Sequence, residues 1–174
     1  MADEELNKYV TSEEDAVIAK LKAALKPCEG VDEQLDELHR SGKWHMAVVS
    51  SSALRRVQAS IDKVDQAKYF GKDVFSAATS LPKPTSKPDP AIYLHAMKVL
   101  GREAGECVAI EDSKSGATSA NRAGIATVGY VGSYEVEEQE KMEKVLREAG
   151  CGVVMHRWSQ FPEMLRELES KGKL

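Results

Sequence analysis

Cys107-Val108-Ala109-Ile110-Glu111-Asp112-Ser113-Lys114-Ser115-Gly116 joins a short apolar run to two adjacent carboxylates, and then to a turn of small residues behind which Ala117, Ala120 and Ala123 recur. The apolar run suits a strand buried on both faces, and the alanines suit a helix packed closely against it. The stretch therefore reads as strand, charged rim, helix. In an open parallel α/β sheet, ligands sit in the crevice outside the carboxyl ends of the strands, so Glu111 and Asp112 lie where a site is expected. The first N–H groups of the following helix can hold an anion. Close packing accounts for the alanines. It does not account for two carboxylates at a strand end.

Working outward, the same alternation recurs. Thr11-Ser12-Glu13-Glu14 reads as a capping box, and Ile18, Leu21 and Leu25 form one apolar stripe, predicting a helix over 12–26 stopped by Pro27. A second helix carries Val31, Leu35 and Leu38 and ends near Ser41-Gly42. Met46 to Ser50 is the first strand, Asp73 to Ala78 the second, and between them Leu54, Val57 and Ile61 share a helix face. Ser51 and Ser52 read as caps of that helix. The loop Ser80 to Pro88 is rich in proline, and Asp89-Pro90 opens a mostly buried helix from Ala91 to Leu100, ended by Gly101. Beyond the central stretch follow a strand over 125–130, an acidic helix over 135–149, a strand over 152–156 and a helix over 162–171. About five strands separated by helices predict an α/β fold with a doubly wound parallel sheet.

The 174 residues correspond to one domain with a sizeable core. A net charge of −4, mixed in sign along the chain, argues against nucleic acid or an anionic membrane as partner and leaves small molecules or proteins. Cys28, Cys107 and Cys151 are odd in number and widely spaced, which fits neither a disulfide framework nor a zinc site and points to a reducing, cytoplasmic setting. No apolar run approaches the ~18 residues of a membrane span.

Three polar clusters sit just beyond a strand or at a helix start: Ser50 to Ser52, Ser86-Lys87-Pro88 and Glu111-Asp112-Ser113. In such a sheet all three face one rim. Hydroxyls and an ammonium suit phosphate oxygens, and adjacent carboxylates suit Mg²⁺, which prefers oxygen ligands. The order and surroundings of Val48-Val49-Ser50, Lys87-Pro88-Asp89-Pro90 and Ile110-Glu111-Asp112-Ser113-Lys114-Ser115-Gly116 resemble the haloacid dehalogenase-like (HAD) hydrolase superfamily, over essentially all of residues 12–171. The resemblance implies a Rossmann-like core over 27–174 and, over 1–26, a remnant of the family's mobile cap. It implies that Ser50, with Ser51 and Ser113, binds substrate phosphate, that Lys87 neutralises its charge, and that Asp112, with Glu111 beside it, holds Mg²⁺. Lys87 and Asp112 are the catalytic residues of that set.

One departure matters more. The family's first strand ends in Asp-x-Asp, the first carboxylate being the nucleophile and the second the general acid and base. The aspartates of this chain are Asp3, Asp15, Asp32, Asp36, Asp62, Asp65, Asp73, Asp89 and Asp112, and no two are separated by a single residue. Phosphate monoester hydrolysis needs up to ~10²¹-fold acceleration, and a covalent step is the family's route. Ser50 and Lys87 alone do not supply it, so the expectation is a pseudoenzyme with negligible phosphatase activity and Mg²⁺ weakly held or absent. The missing strand is the central one of the family's sheet. The strands ending at Ser50 and Glu111 must then pair directly, accept a substitute from residues 1–10, or borrow one from another chain, and direct pairing or completion by a homodimer is expected.

Three functions remain open at this point. The leading one is a binding scaffold for a small molecule, a phosphate-bearing one included, or for a protein. The second is an enzyme turned to cyclisation or isomerisation, which a deep apolar pocket would favour. The third is a fragment of a Mg²⁺-dependent phosphatase. Of the other polar residues, Arg55-Arg56 read as a solvated helix face, His95 as exposed, and Trp44 and Trp158 as packing near strand ends. His45 and His156 flank strands and serve as acid or base only if a pocket reaches them.

Overall fold

Short β-branched and apolar runs, punctuated by glycine, serine and proline, set the strands, and apolar stripes at helical spacing set the covering helices. The computed structural model describes residues 2–172, with side chains from residue 11 onward. In chain order the elements are α1 (Ala2–Ala24), α2 (Val31–Ser41), β1 (Val48–Ser50), α3 (Leu54–Lys63), α4 (Ala67–Phe70), β2 (Val74–Ser76), α5 (Ala91–Leu100), β3 (Val108–Glu111), α6 (Lys114–Arg122), β4 (Ala126–Tyr130), α7 (Val136–Glu148), β5 (Val153–Met155) and α8 (Phe161–Ser170). Single 3₁₀ turns at Ala104–Glu106 and Trp158–Gln160 precede β3 and α8. The α/β class and the five parallel strands match the expectation from sequence.

The sheet itself differs. β1 pairs with β2 in parallel, Val49 opposite Phe75, and β3, β4 and β5 form a second parallel sheet with Ile110 opposite Val128 and Gly129 opposite Val154. Among the described residues the two sheets share no ladder, so the strands ending at Ser50 and Glu111 do not pair directly. Nor do residues 2–10 supply a substitute strand, because they belong to α1. Helices cover the space between the two sheets from above and below. Ala109 packs with Tyr93, Ala96 and Met97 of α5, while its neighbour Val108 packs with Leu38 of α2 and Phe161 of α8. Successive strand residues point to opposite faces, so α5 and α2 lie on opposite sides of β3. Side chains of both helices, Leu35 and Leu38 of α2 and Met97 and Leu100 of α5, line the space between β1 and β3.

Smaller corrections concern boundaries. α1 runs through Thr11-Ser12-Glu13-Glu14 instead of starting there, since nothing between Ala2 and Val10 is a glycine or proline that would stop a helix. Ser51 and Ser52 do not cap α3. Its N-cap is Ala53, and the Leu54 N–H reaches Thr79 Oγ1 at 3.4 Å. Arg55 is exposed yet not merely solvated, because its guanidinium donates to Glu14 and Asp15 of α1 at 2.9 and 2.7 Å. Single-turn α4 escapes the periodicity argument because four residues carry too little pattern.

The right-hand half of the core closes over Leu146, which is fully buried among Ala117, Val131, Cys151 and Val154. Leu146→Ala is expected to lower unfolding free energy by about 2–5 kcal/mol in urea denaturation, whereas Val136→Ala, at a side chain 77% exposed, should change it by under about 0.5 kcal/mol.

Candidate functional site

The Ser50–Ser52 loop leaves the end of β1 and is tied down from below. Fully buried Ser76, at the end of β2, donates its hydroxyl to the Ser52 carbonyl at 2.7 Å, and its own N–H donates to Ser80 Oγ at 2.8 Å. Ser50 Oγ accepts the Ser52 N–H at 3.1 Å, which fixes the oxygen but leaves its hydrogen available to a ligand. Ser51, read from sequence as a cap, accepts the Lys87 N–H at 3.0 Å and so joins this loop to the next cluster.

The Lys87 loop is held from the other side by α6. Ser119 Oγ donates to the Asp89 carbonyl at 2.7 Å, and Arg122 donates to the Pro88 carbonyl at 3.1 Å. Asp89 Oδ1 accepts the Ala91 N–H at 2.9 Å, so α5 begins where Asp89-Pro90 implied. Lys87 is thereby aimed between the two sheets. Its ammonium donates to the Val49 carbonyl of β1 at 2.8 Å and to Glu111 Oε1 of β3 at 2.5 Å. Both side chains are about nine-tenths buried. The ammonium also lies 4.8 Å from the Tyr93 ring centre, and the Tyr93 hydroxyl donates to the same Glu111 oxygen. Burial, and then the Glu111 charge, push the Tyr93 phenol well above its ordinary range, which keeps it a proton donor.

Gly116 completes this pocket. A Cβ there would fall 1.8 Å from Glu111 Oε2, so a small residue is required where α6 passes the carboxylate. Ser113 is the N-cap of α6 and accepts the Gly116 N–H at 3.1 Å, while the Asp112 carbonyl accepts the Tyr134 hydroxyl at 2.9 Å. Asp112 is exposed and Ser113 half-buried at the start of α6, beside its first N–H groups.

The three clusters therefore converge through Lys87, which touches the Ser50–Ser52 loop, β1 and β3. Tyr93, Ser76 and Tyr134 were not among the residues singled out from sequence. Tyr93 sits in an otherwise apolar helix and gives no local sign that its hydroxyl meets a carboxylate.

The donor set does not fit a bound Mg²⁺. A small hard cation takes near-octahedral oxygen ligands. Here one oxygen of Glu111 is committed to Lys87 and Tyr93 and the carboxylate lies against Gly116, which leaves Asp112 as the free carboxylate of the pair. Among the described residues no group of three or more His, Cys, Asp or Glu side chains is placed to hold a metal.

Below the rim lies a cavity of about 550 Å³ between β1 and β3. Val49, Ile110, Tyr93, Met97, Leu35 and Trp158 are among its walls, whereas Ser50, Lys87 and Asp112 are not. Both Trp44 and Trp158 line it, as does His45, whose Nε2–H donates to Asp73 Oδ2 at 2.7 Å. His156 lies elsewhere, between Gln139 and Glu143, and His95 is half-buried edge-on to Phe75. Cys28, Cys107 and Cys151 are unpaired, and burial pushes the Cys151 thiol up to about 12, so it stays protonated.

Removing one partner of the Lys87–Glu111 pair strands a buried charge. Lys87→Met or Glu111→Gln alone should cost about 3–5 kcal/mol of stability, and the double variant should cost less than the sum, read by a thermodynamic cycle in denaturant. Gly116→Ala, which leaves both charges in place, should cost about 1–3 kcal/mol by forcing the carboxylate aside.

The chain matches the family model described as haloacid dehalogenase-like hydrolase over residues 2–130. It is 32% identical to the phosphorylated carbohydrates phosphatase of Thermotoga maritima over 95% of its own length and 70% of that protein. To protein CbbY of Rhodobacter capsulatus it is 33% identical over 71% of its length and 53% of that protein. Among solved structures, a HAD hydrolase of family IA, variant 3, from Entamoeba histolytica superposes with a TM-score of 0.76 at 26% identity, covering 97% of this chain and 73% of the other. The chain thus spans roughly half to three quarters of these proteins, and across that span the parallel strands and the three rim clusters place it in the haloacid dehalogenase-like hydrolase family.

Proposed function

We propose that this chain is a phosphate-binding unit of its family that does not, in these 174 residues, hydrolyse phosphate esters. The observation that carries the reading is the state of Lys87. Its ammonium is drawn inward to Val49 and Glu111, and among the described residues no aspartate lies against it as an attacking group. An anion is then received by what remains at the rim: the Ser50 and Ser51 hydroxyls, the first amides of α6 behind Ser113, and the third N–H of Lys87. The phosphorylated carbohydrate named for the Thermotoga relative supports a small phosphate-bearing ligand. Chemistry supports the inertness, since losing the nucleophile of a catalytic unit lowers turnover by about 10⁶.

A second reading is favoured by the open cleft: that the residues form part of a Mg²⁺-dependent phosphatase whose attacking carboxylate is carried outside them. The apolar cavity also meets the condition set for a cyclising or isomerising enzyme, but two of its walls are strand edges, which suit a peptide better than an apolar substrate.

Titration with inorganic phosphate, followed by amide NMR, should shift residues 50–52, 87 and 113–116 and leave the β5–α8 region unmoved. A sugar phosphate with Mg²⁺ should show no turnover above buffer. Turnover at an ordinary enzymatic rate, about 1 s⁻¹ or more, would overturn the inert reading.

A further inference from the structure

We propose, resting on the phosphate-binding reading of the rim, that His156 is a protonation-dependent positioning residue for it: the charged ring completes a relay through Gln139 and Tyr134 to Asp112, and the relay breaks when the ring is neutral. Hydrogen-bond polarity fixes the state of the ring. Gln139 Nε2 donates to the Tyr134 carbonyl at 3.0 Å, and a carbonyl only accepts. The amide orientation is thus set, and Gln139 Oε1 faces His156 Nδ1 at 3.0 Å. Nδ1 is therefore a donor. On the other side of the ring, Nε2 lies 3.0 Å from Glu143 Oε2. Arg147 donates twice to the other oxygen of that carboxylate, at 2.9 and 2.8 Å, and its hydrogen bonds, followed by that of His156, hold Glu143 below the usual carboxylate range. An ionised carboxylate only accepts, so Nε2 is a donor as well. A ring with two donors is an imidazolium.

A neutral ring does not satisfy the same partners. It keeps one N–H, and the proton stays on Nε2, where the contact with Glu143 is charge-assisted. Bare Nδ1 then faces Gln139 Oε1, acceptor against acceptor. Turning the Gln139 amide over relieves that contact but sets its oxygen against the Tyr134 carbonyl. Either way one link is lost. The ring is 39% exposed, so protons reach it from solvent. The charged groups that face it are Glu143 and, behind it, Arg147, both of α7. From the turn before α8, neutral Gln160 accepts the His156 N–H at 2.9 Å, and Arg157, next in the chain, is exposed. From the turn after β4, Gly132 lies against the His156 carbonyl.

The relay ends on the rim. The Tyr134 hydroxyl donates to the Asp112 carbonyl at 2.9 Å, and its ring packs with the cluster of Ala117, Val131 and Leu146. Burial, and then the charges of Asp112 and Glu138, push the Tyr134 phenol up, so it stays a donor. The Tyr134 N–H donates to the Val131 carbonyl at 3.0 Å, so the turn between β4 and α7 is held at its amide by Val131 and at its carbonyl by Gln139. Losing Gln139 frees that turn, and with it the hydroxyl that pins Asp112. Asp112 directly precedes Ser113, the N-cap of α6, whose first amides receive the anion. The relay is complete when the ring is protonated, so anion binding is tightest in acid and weakens as the pH rises through the His156 titration. The other histidines contact other groups: His39 meets Tyr69, His45 meets Asp73 and His95 meets Phe75.

The test uses the whole chain and inorganic sulfate, whose own charge is constant from about pH 5 to about pH 8, where histidine titrates. Without sulfate, the amide NMR shifts of residues 112, 113 and 134 should follow the His156 ring signals through the titration. With sulfate, affinity at the rim should fall about 5-fold from the acid to the alkaline end along the same curve. Tyr134→Phe and Gln139→Leu keep His156 but break the relay, and both should bind with the weaker affinity throughout. Glu143→Gln discriminates best. Its amide oxygen serves Arg147 and its NH₂ donates to Nε2, so a neutral ring satisfies both neighbours and tight binding should persist at about pH 8. Amides at 112, 113 and 134 that ignore the ring, or an unchanged pH dependence in Tyr134→Phe, would overturn the proposal. So would a pH dependence that persists in Glu143→Gln, the mark of simple attraction between His156 and the anion. Absence of any sulfate binding would sink the phosphate reading, while the titration without sulfate still decides the relay.

Discussion

A single buried ion pair sets the geometry of this molecule. Lys87 reaches from its loop to a carbonyl of β1 and a carboxylate of β3, and thus holds together the carboxyl ends of two sheets that share no ladder. A buried ammonium and carboxylate are tolerated only when paired and further hydrogen-bonded, and the surroundings meet that demand: the Tyr93 hydroxyl on the same oxygen, Ser51 on the Lys87 amide, and Gly116 leaving room for the carboxylate. The same pairing withdraws Glu111 from the pool of metal ligands. Geometry and chemistry are therefore linked through one contact.

The two sheets are each stabilised by their own clusters, Val57, Ile61 and Val74 against β1–β2 on one side, and Val128, Met155, Phe161 and Leu168 against β3–β5 on the other. α5 spans the division, packing Ile92, Tyr93 and Met97 with Phe75 of β2 and Ala109 of β3. The edges of β1 and β3 face an apolar space lined by side chains of α2 and α5. Family membership follows from the fold and motifs, but activity resides in the site. Here the polar rim and the apolar cleft beneath it are lined by different residues.

Much of this was legible locally. The apolar run ending in Glu111-Asp112, the small residues after Ser113, and Asp89-Pro90 before Ala91 gave a strand end, a helix start and a capped helix close to where they occur. Gly42 and Gly101 terminate α2 and α5 in the left-handed conformation that glycine adopts without strain. Ser51 was misread because the cap rule sees only sequence neighbours, and its partner, Lys87, is 36 residues away. The start of α1 was misread for a related reason: a capping box is a permissive signal, and an unbroken helix-forming run upstream overrides it.

By itself the sequence determined the alternation of strands and helices, the three polar clusters, and the want of paired aspartates, because periodicity, caps and residue identity are properties of short stretches of chain. Tertiary structure alone decided that β1 and β3 stand apart, that Glu111 spends its charge on Lys87, and that both tryptophans face one cavity. Edge pairing and the choice of a carboxylate's partner depend on which distant side chains occupy the space between layers, and no local pattern carries that information.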